Sequence, residues 1–177
     1  MRDAQRKPNI WKGMLVGLLA GLIASWTMNR FQDVWIAVSS PDDSKKQKDA
    51  DARPSDAGEE SQDDATVKAA SAVSEKLFDH KLTSAEKKVA GPAVHYAVGA
   101  AAGMVYGVAS EFVPEVAAGF GLPYGTAFWL VVDEGVVPSL GLAKGPSGYP
   151  LSTHLYALAS HLVFGATAEG TRRLLRD

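Results

Sequence analysis

Hydrophobic and polar positions are spread so unevenly along the 177 residues that the chain separates into four apolar stretches and one polar one. A bilayer core of ~30 Å is crossed by roughly 20 residues of helix, with a working range of about 17 to 25. Gly13 to Asn29 offers 17 uncharged residues between Lys12 and Arg30, and the apolar run Val34 to Val38 lengthens it. Val89 to Ser110 is an uncharged run of 22, with Pro92 placed as for a first helical turn, where a missing N–H costs nothing. Val116 to Val132 is the third run, and Asp133 and Glu134 follow it. Gly145 to Ala168 is the fourth, although its Gly145, Pro146, Gly148 and Pro150 read as loop.

The pattern predicts an all-α fold, a four-transmembrane-helix bundle with a long polar, partly disordered insertion after the first helix. Residues 1–40 hold a basic N-terminus and the first span, 41–66 a disordered polar linker, 67–88 short amphipathic helices and 89–112 the second span. Residues 113–138 form the third span, 139–152 a loop, and 153–177 the fourth span with a basic C-terminus. Within the insertion, Pro41 to Asp64 is rich in Asp, Ser and Lys and lacks apolar periodicity. Val67, Ala70, Val73, Leu77 and Phe78 then recur at helical spacing, and Thr83 with Glu86 resembles a capping box that would start another turn. Such a stripe lies on the membrane surface or packs on the outside of the bundle.

Overall composition, 46% hydrophobic and 21% charged, is that of a soluble domain, and the local distribution corrects it. Asp42 to Lys88 carries 21 charged residues in 47 positions, whereas Val89 to Thr171 carries 6 in 83, too few to give that stretch a polar surface in water. Basic residues near both chain ends place both termini in the cytoplasm, and an even number of spans agrees. A cleaved signal peptide is the rival for the first run, but no small-x-small site follows it directly. A net charge of −2 without a basic patch excludes nucleic acid as a partner, and zero cysteines exclude disulfides and thiolate chemistry.

Ionisable residues in spans are costly and are functional candidates by default. Arg30, Asp33, His95, Asp133, Glu134 and His154 all fall at one end of the bundle, the outer one, while Glu111 and Glu169 mark the cytoplasmic end. His161 lies on nearly the same helical face as His154 but ~10 Å deeper. His95, Asp133, Glu134, His154 and His161 are therefore candidates for a polar cavity opening outward. Imidazole and carboxylate suit a divalent metal or a proton relay, yet no tight ligand spacing such as HExxH appears, so the metal is unknown and no cofactor is implied. The plainer alternatives are solvated caps, surface ion pairs and neutral histidines bonded to a neighbouring helix. Gly99, Gly103 and Gly107 form two overlapping GxxxG motifs that allow close packing with a helix of the same chain or of another copy in a homo-oligomer. Pro123 and Pro138 interrupt the third span, and residues 133–142 read as a broken helix end, a re-entrant piece or an interfacial loop.

His95 with the glycine ridge, Tyr106 and Ala109-Ser110-Glu111, then Pro138 with Gly141-Leu142, then His161-Leu162-Val163, and Glu169 with Arg172-Arg173 follow one another in a distinctive order. Over roughly residues 93 to 176 this order resembles the YagU-type family of bacterial inner-membrane proteins, whose biochemical function is unknown. The resemblance implies a multi-pass protein of the bacterial inner membrane, surrounded by lipid, and supplies no catalytic residue. This chain departs from the family in its charged insertion, and Asp133 is not always acidic among its members, which favours His95, Glu111 and His161. The leading expectation is a non-enzymatic membrane protein whose histidines and carboxylates hold the bundle together or respond to pH. The alternative is a small oligomeric transporter or channel for protons or metal ions. The second and fourth helices both read His, apolar run, glycine and Glu, from His95 to Glu111 and from His154 to Glu169, a hint of duplication. A membrane-embedded enzyme using His161, Asp133 and Glu134 for acid–base work is the third reading.

Overall fold

The computed structural model describes residues 8–39 and 65–176, so the linker expected at 41–66 falls almost wholly outside the described residues. Among the described residues all regular structure is helical. Helix α1 (Ile10–Ser39) is followed by α2 (Ala65–Phe78) and α3 (Ser84–Phe112). A 3-10 segment (Pro114–Gly121) leads into α4 (Leu122–Val131), which continues through a π-turn (Val132–Val136) and one α-turn (Val137–Ser139). A short 3-10 turn (Pro146–Gly148) precedes α5 (Leu151–Arg176).

By length and composition three helical runs are apolar enough to cross a membrane, Ile10–Ser39, Ser84–Phe112 and Glu115–Ser139. The count expected from the sequence was four, and α5 falls short. Its buried residues include Ser160, His161 and Glu169, which lower the mean hydropathy although they face the protein interior.

The capping box is present: Thr83 N–H donates to Glu86 Oε2 at 2.7 Å and Glu86 N–H donates to Thr83 Oγ1 at 3.3 Å. The turn that it starts is not a separate amphipathic helix but the beginning of α3, because Ala85, Glu86, Lys87 and Lys88 are good helix formers with no breaker between them. Pro92 consequently lies inside α3 and not in its first turn. The chain reverses before α4 through three successive left-handed residues, Gly119, Phe120 and Gly121, at φ of 62°, 56° and 76°.

The helices pair through glycine. A Cβ on Gly17 or Gly21 would collide with the carbonyl oxygen of Gly103 or Gly99, and a Cβ on Gly103 or Gly107 with that of Gly17 or Gly13. The partner of the α3 ridge is thus α1 of the same chain. A second seam joins α4 to α5, where a Cβ on Gly121 or Gly125 would strike the carbonyl oxygen of Gly165 or His161. Between the seams lies a small core of Ala20, Ala24, Met28, Ala102, Tyr106, Phe164 and Ala168. Large apolar residues such as Leu15, Leu19, Ile23, Val105, Leu130 and Val131 are exposed instead. That distribution suits lipid, where small residues mediate helix contact and large apolar ones meet acyl chains.

Replacing Gly103 with Val should lower the thermal midpoint of the detergent-solubilised protein, with an overpacking cost of ~1–3 kcal/mol. Gly145→Ala, whose Cβ would meet nothing within 4 Å, should leave the midpoint unchanged.

Candidate functional site

Polar side chains gather at both ends of the bundle, and the two ends are built differently. At one end α1, α2, α3, α4, the π-turn, the loop after Ser139 and α5 line an open cavity of about 760 Å³. All five side chains predicted for a polar cavity line it: His95 from α3, Asp133 and Glu134 from the π-turn, His154 and His161 from α5. Arg30 and Asp33 form an exposed pair on α1 at 3.1 Å and do not line it.

The π-turn follows from Pro138, which has no N–H to bond the carbonyl of Glu134. The ladder instead shifts by one residue, with Val137 N–H donating to Val132 O. Adjacent residues diverge by about 100° on an α-helix. The wider turn brings Asp133 and Glu134, though neighbours in sequence, to one cavity. Such π-bulges recur at functional sites.

Each of these carboxylates faces a histidine of α5. His154 Nδ1 lies 2.7 Å from Glu134 Oε1, and its Nε2 lies 2.9 Å from the carbonyl oxygen of Pro146. Both partners are acceptors, so with both bonds made the ring donates from both nitrogens and forms an ion pair with Glu134. His161 Nδ1 donates to Ala157 O at 2.9 Å. Asp133 Oδ2 stands 3.7 Å from the same nitrogen, beyond hydrogen-bond range. The cavity ends inward at Phe128 and Phe164, whose rings meet at 5.2 Å. Beyond them Tyr124 Oη donates to Ala102 O at 2.7 Å and its ring lies 4.5 Å from that of Tyr106. Among the described residues no three His, Cys, Asp or Glu side chains are placed to hold a metal ion together.

At the opposite end Glu169 is fully buried and accepts four hydrogen bonds. They come from Tyr106 Oη at 2.7 Å, Arg172 Nε at 2.7 Å, Arg172 Nη2 at 2.9 Å and Arg173 Nε at 2.6 Å. Glu111, also buried, accepts the Asn9 N–H at 3.0 Å and pairs with Arg176. Charge-assisted bonds of this number offset the desolvation of a buried carboxylate. The arginines read from the sequence only as a topology signal are thus also the partners of buried glutamates, which the spacing of Glu169 to Arg172 and Arg173 encodes as i,i+3 and i,i+4. Sequence reasoning also passed over Ser25 and Phe128, which line the cavity from α1 and α4.

Residues 67–170, more than half of the chain, match a family of proteins of unknown function, DUF1440, and the chain belongs to that family. No curated protein and no solved structure matches it.

Tyr106→Phe should cost roughly 1.5 kcal/mol, since Glu169 keeps its arginines. Glu169→Ala should cost about 3–5 kcal/mol by leaving Arg172 uncompensated. Denaturation midpoints of the two variants in detergent check the order.

Proposed function

We propose that this DUF1440 protein is a non-enzymatic integral membrane protein of four spans, set in a bacterial inner membrane with both termini cytoplasmic. In this reading two histidine–carboxylate pairs clasp the outer ends of its last two spans. The carrying observation is that His154 with Glu134 and His161 with Asp133 join α5 to the π-turn two helical turns apart within one cavity. Inclusion of α5 among the spans is supported by its packing against α1 and α4 and by the inward placement of its polar residues. The likeness to YagU-type proteins overlaps the family match, and we read the two as one kinship.

A path for protons or metal ions has less in its favour, because the cavity stops at Phe128 and Phe164. The clasp joins bases to acids, so it is also where a response to external pH would arise. Besides the two pairs, His95 and Lys144 face the same cavity.

Topology is testable because the chain has no cysteine. In intact cells a membrane-impermeant maleimide should label Ser147→Cys and should reach Leu174→Cys only after permeabilisation; the reverse pattern would overturn the orientation. His154→Ala combined with His161→Ala should lower the thermal midpoint in detergent by more than either change alone. Cells carrying the double variant should grow more poorly than wild type in acidic medium, and equal growth would remove the pH response.

A further inference from the structure

The two glycine seams place the chain in register with itself. Where α1 meets α3, Gly13 and Gly17 lie on Gly107 and Gly103; where α4 meets α5, Gly121 and Gly125 lie on Gly165 and His161. Superposing the second hairpin on the first in this register aligns Met104-Val-Tyr-Gly-Val-Ala-Ser-Glu111 with Leu162-Val-Phe-Gly-Ala-Thr-Ala-Glu169. It also sets Gly13 on Gly121 and Gly17 on Gly125. Four of the eight α3 positions are identical or differ only by Tyr for Phe, and both segments end on a buried glutamate with an arginine partner. In seam register and in this glycine-to-glutamate pattern, the second hairpin is a copy of the first.

The cavity lies between the copies. Equivalent positions from both line it, Ser25 with Asp133, His95 with Thr153 and Gly99 with Ala157. Where the first copy has Val16 and Ala20, the second has Tyr124 and Phe128, whose rings hold α4 off α3 and leave space. Sites between repeats are a recurrent place for ligands in membrane proteins.

The chemistry of the ligand follows from the Ser25 and Asp133 pair. Ser25 is 1% exposed, and its Oγ has no hydrogen-bond partner among the described residues. Ser110 and Ser160, also buried, bond the carbonyl one turn back at 2.8 and 2.9 Å. Asp133 receives no hydrogen bond from His161, whose Nδ1 is committed to Ala157 O, and Glu134 is already matched by His154. One carboxylate without a hydrogen-bond donor, 3.7 Å from His161 Nδ1, and one hydroxyl without a partner, seated against Gly99, thus belong to residues that line a cavity whose walls include Val98, Phe128 and Val132. A carboxylate that receives no hydrogen bond, beside apolar walls, is suited to a cationic donor.

We infer that this cavity binds an organic ammonium, directing N–H groups to the Asp133 carboxylate and the Ser25 hydroxyl while its apolar body lies against the valine and phenylalanine walls. An ammonium brings up to three donors and one positive charge, and either a free amine or an aminophospholipid headgroup supplies it. The site shares Asp133 with the His161 pair of the proposed clasp, and Ser25, which takes no part in either pair, belongs to it alone.

The test is titration of the full-length protein in detergent with octylammonium, octanol, octanoate and tetramethylammonium, read by native mass spectrometry. Octylammonium should bind saturably at one site and more tightly than the other three. Asp133→Asn should weaken it by about tenfold or more, and Ser25→Ala by about fivefold, the scales of a charge-assisted and a neutral hydrogen bond. Weaker octylammonium binding in phosphatidylethanolamine nanodiscs than in phosphatidylglycerol nanodiscs would mark the headgroup as the natural source, and equal binding a free amine. Octanol binding as tightly as octylammonium in the wild type, or Ser25→Ala and Asp133→Asn both binding like wild type with helical content intact, would overturn the assignment.

Discussion

Direct contact between helix backbones at the two glycine seams is the constraint on which the rest of this structure depends. Lipid offers no hydrophobic drive for one apolar helix to leave it for another, so association has to come from packing, hydrogen bonds and lipid entropy. Packing of that kind requires surfaces without side chains in the way. Here Gly13, Gly17 and Gly21 meet Gly107, Gly103 and Gly99, and Gly121 and Gly125 meet Gly165 and the His161 backbone. Many large apolar residues are left to the outside, Leu15, Leu19, Ile23, Val105, Leu130 and Val131 among them, inverting the usual placement in water.

The seams also place the charges. Glu111 and Glu169 each lie one helical turn beyond a seam glycine, Gly107 or Gly165, on the same face of the helix. They are therefore carried to the buried side, where, among the described residues, Tyr106, Asn9 and the C-terminal arginines reach them. At the other end Phe128 and Trp129 replace small residues, the close approach is lost, and space appears beside Asp133 and Glu134. One end is thus a filled polar network and the other a cavity, although both grow from the same hairpin design.

Much of this was legible in the chain. The apolar runs, the α3 glycine ridge, the Thr83 capping box and the gathering of His95, Asp133, Glu134, His154 and His161 at one end are matters of spacing, and spacing survives without knowledge of neighbours. The α5 helix, predicted as a span, falls short by mean hydropathy, because that mean sums all faces of a helix and cannot separate Ser160 and Glu169 on the inside from Leu155 and Leu174 on the outside. The start of α3 was misplaced by treating Pro92 as a boundary, when a run of strong helix formers before it carries the helix through.

What the sequence by itself determined is composition along the axis: which segments suit lipid, which end of each carries charge, and where small residues repeat. What only the tertiary structure decided is azimuth and partnership: that α1 answers the α3 ridge, that a π-turn aims two adjacent carboxylates into one cavity, and that Ser25 stands at the position of Asp133. The physical reason is that hydrogen bonds and backbone contacts depend on which face meets which neighbour, to within a fraction of a turn. A linear pattern specifies the faces and leaves their pairing to the folded chain.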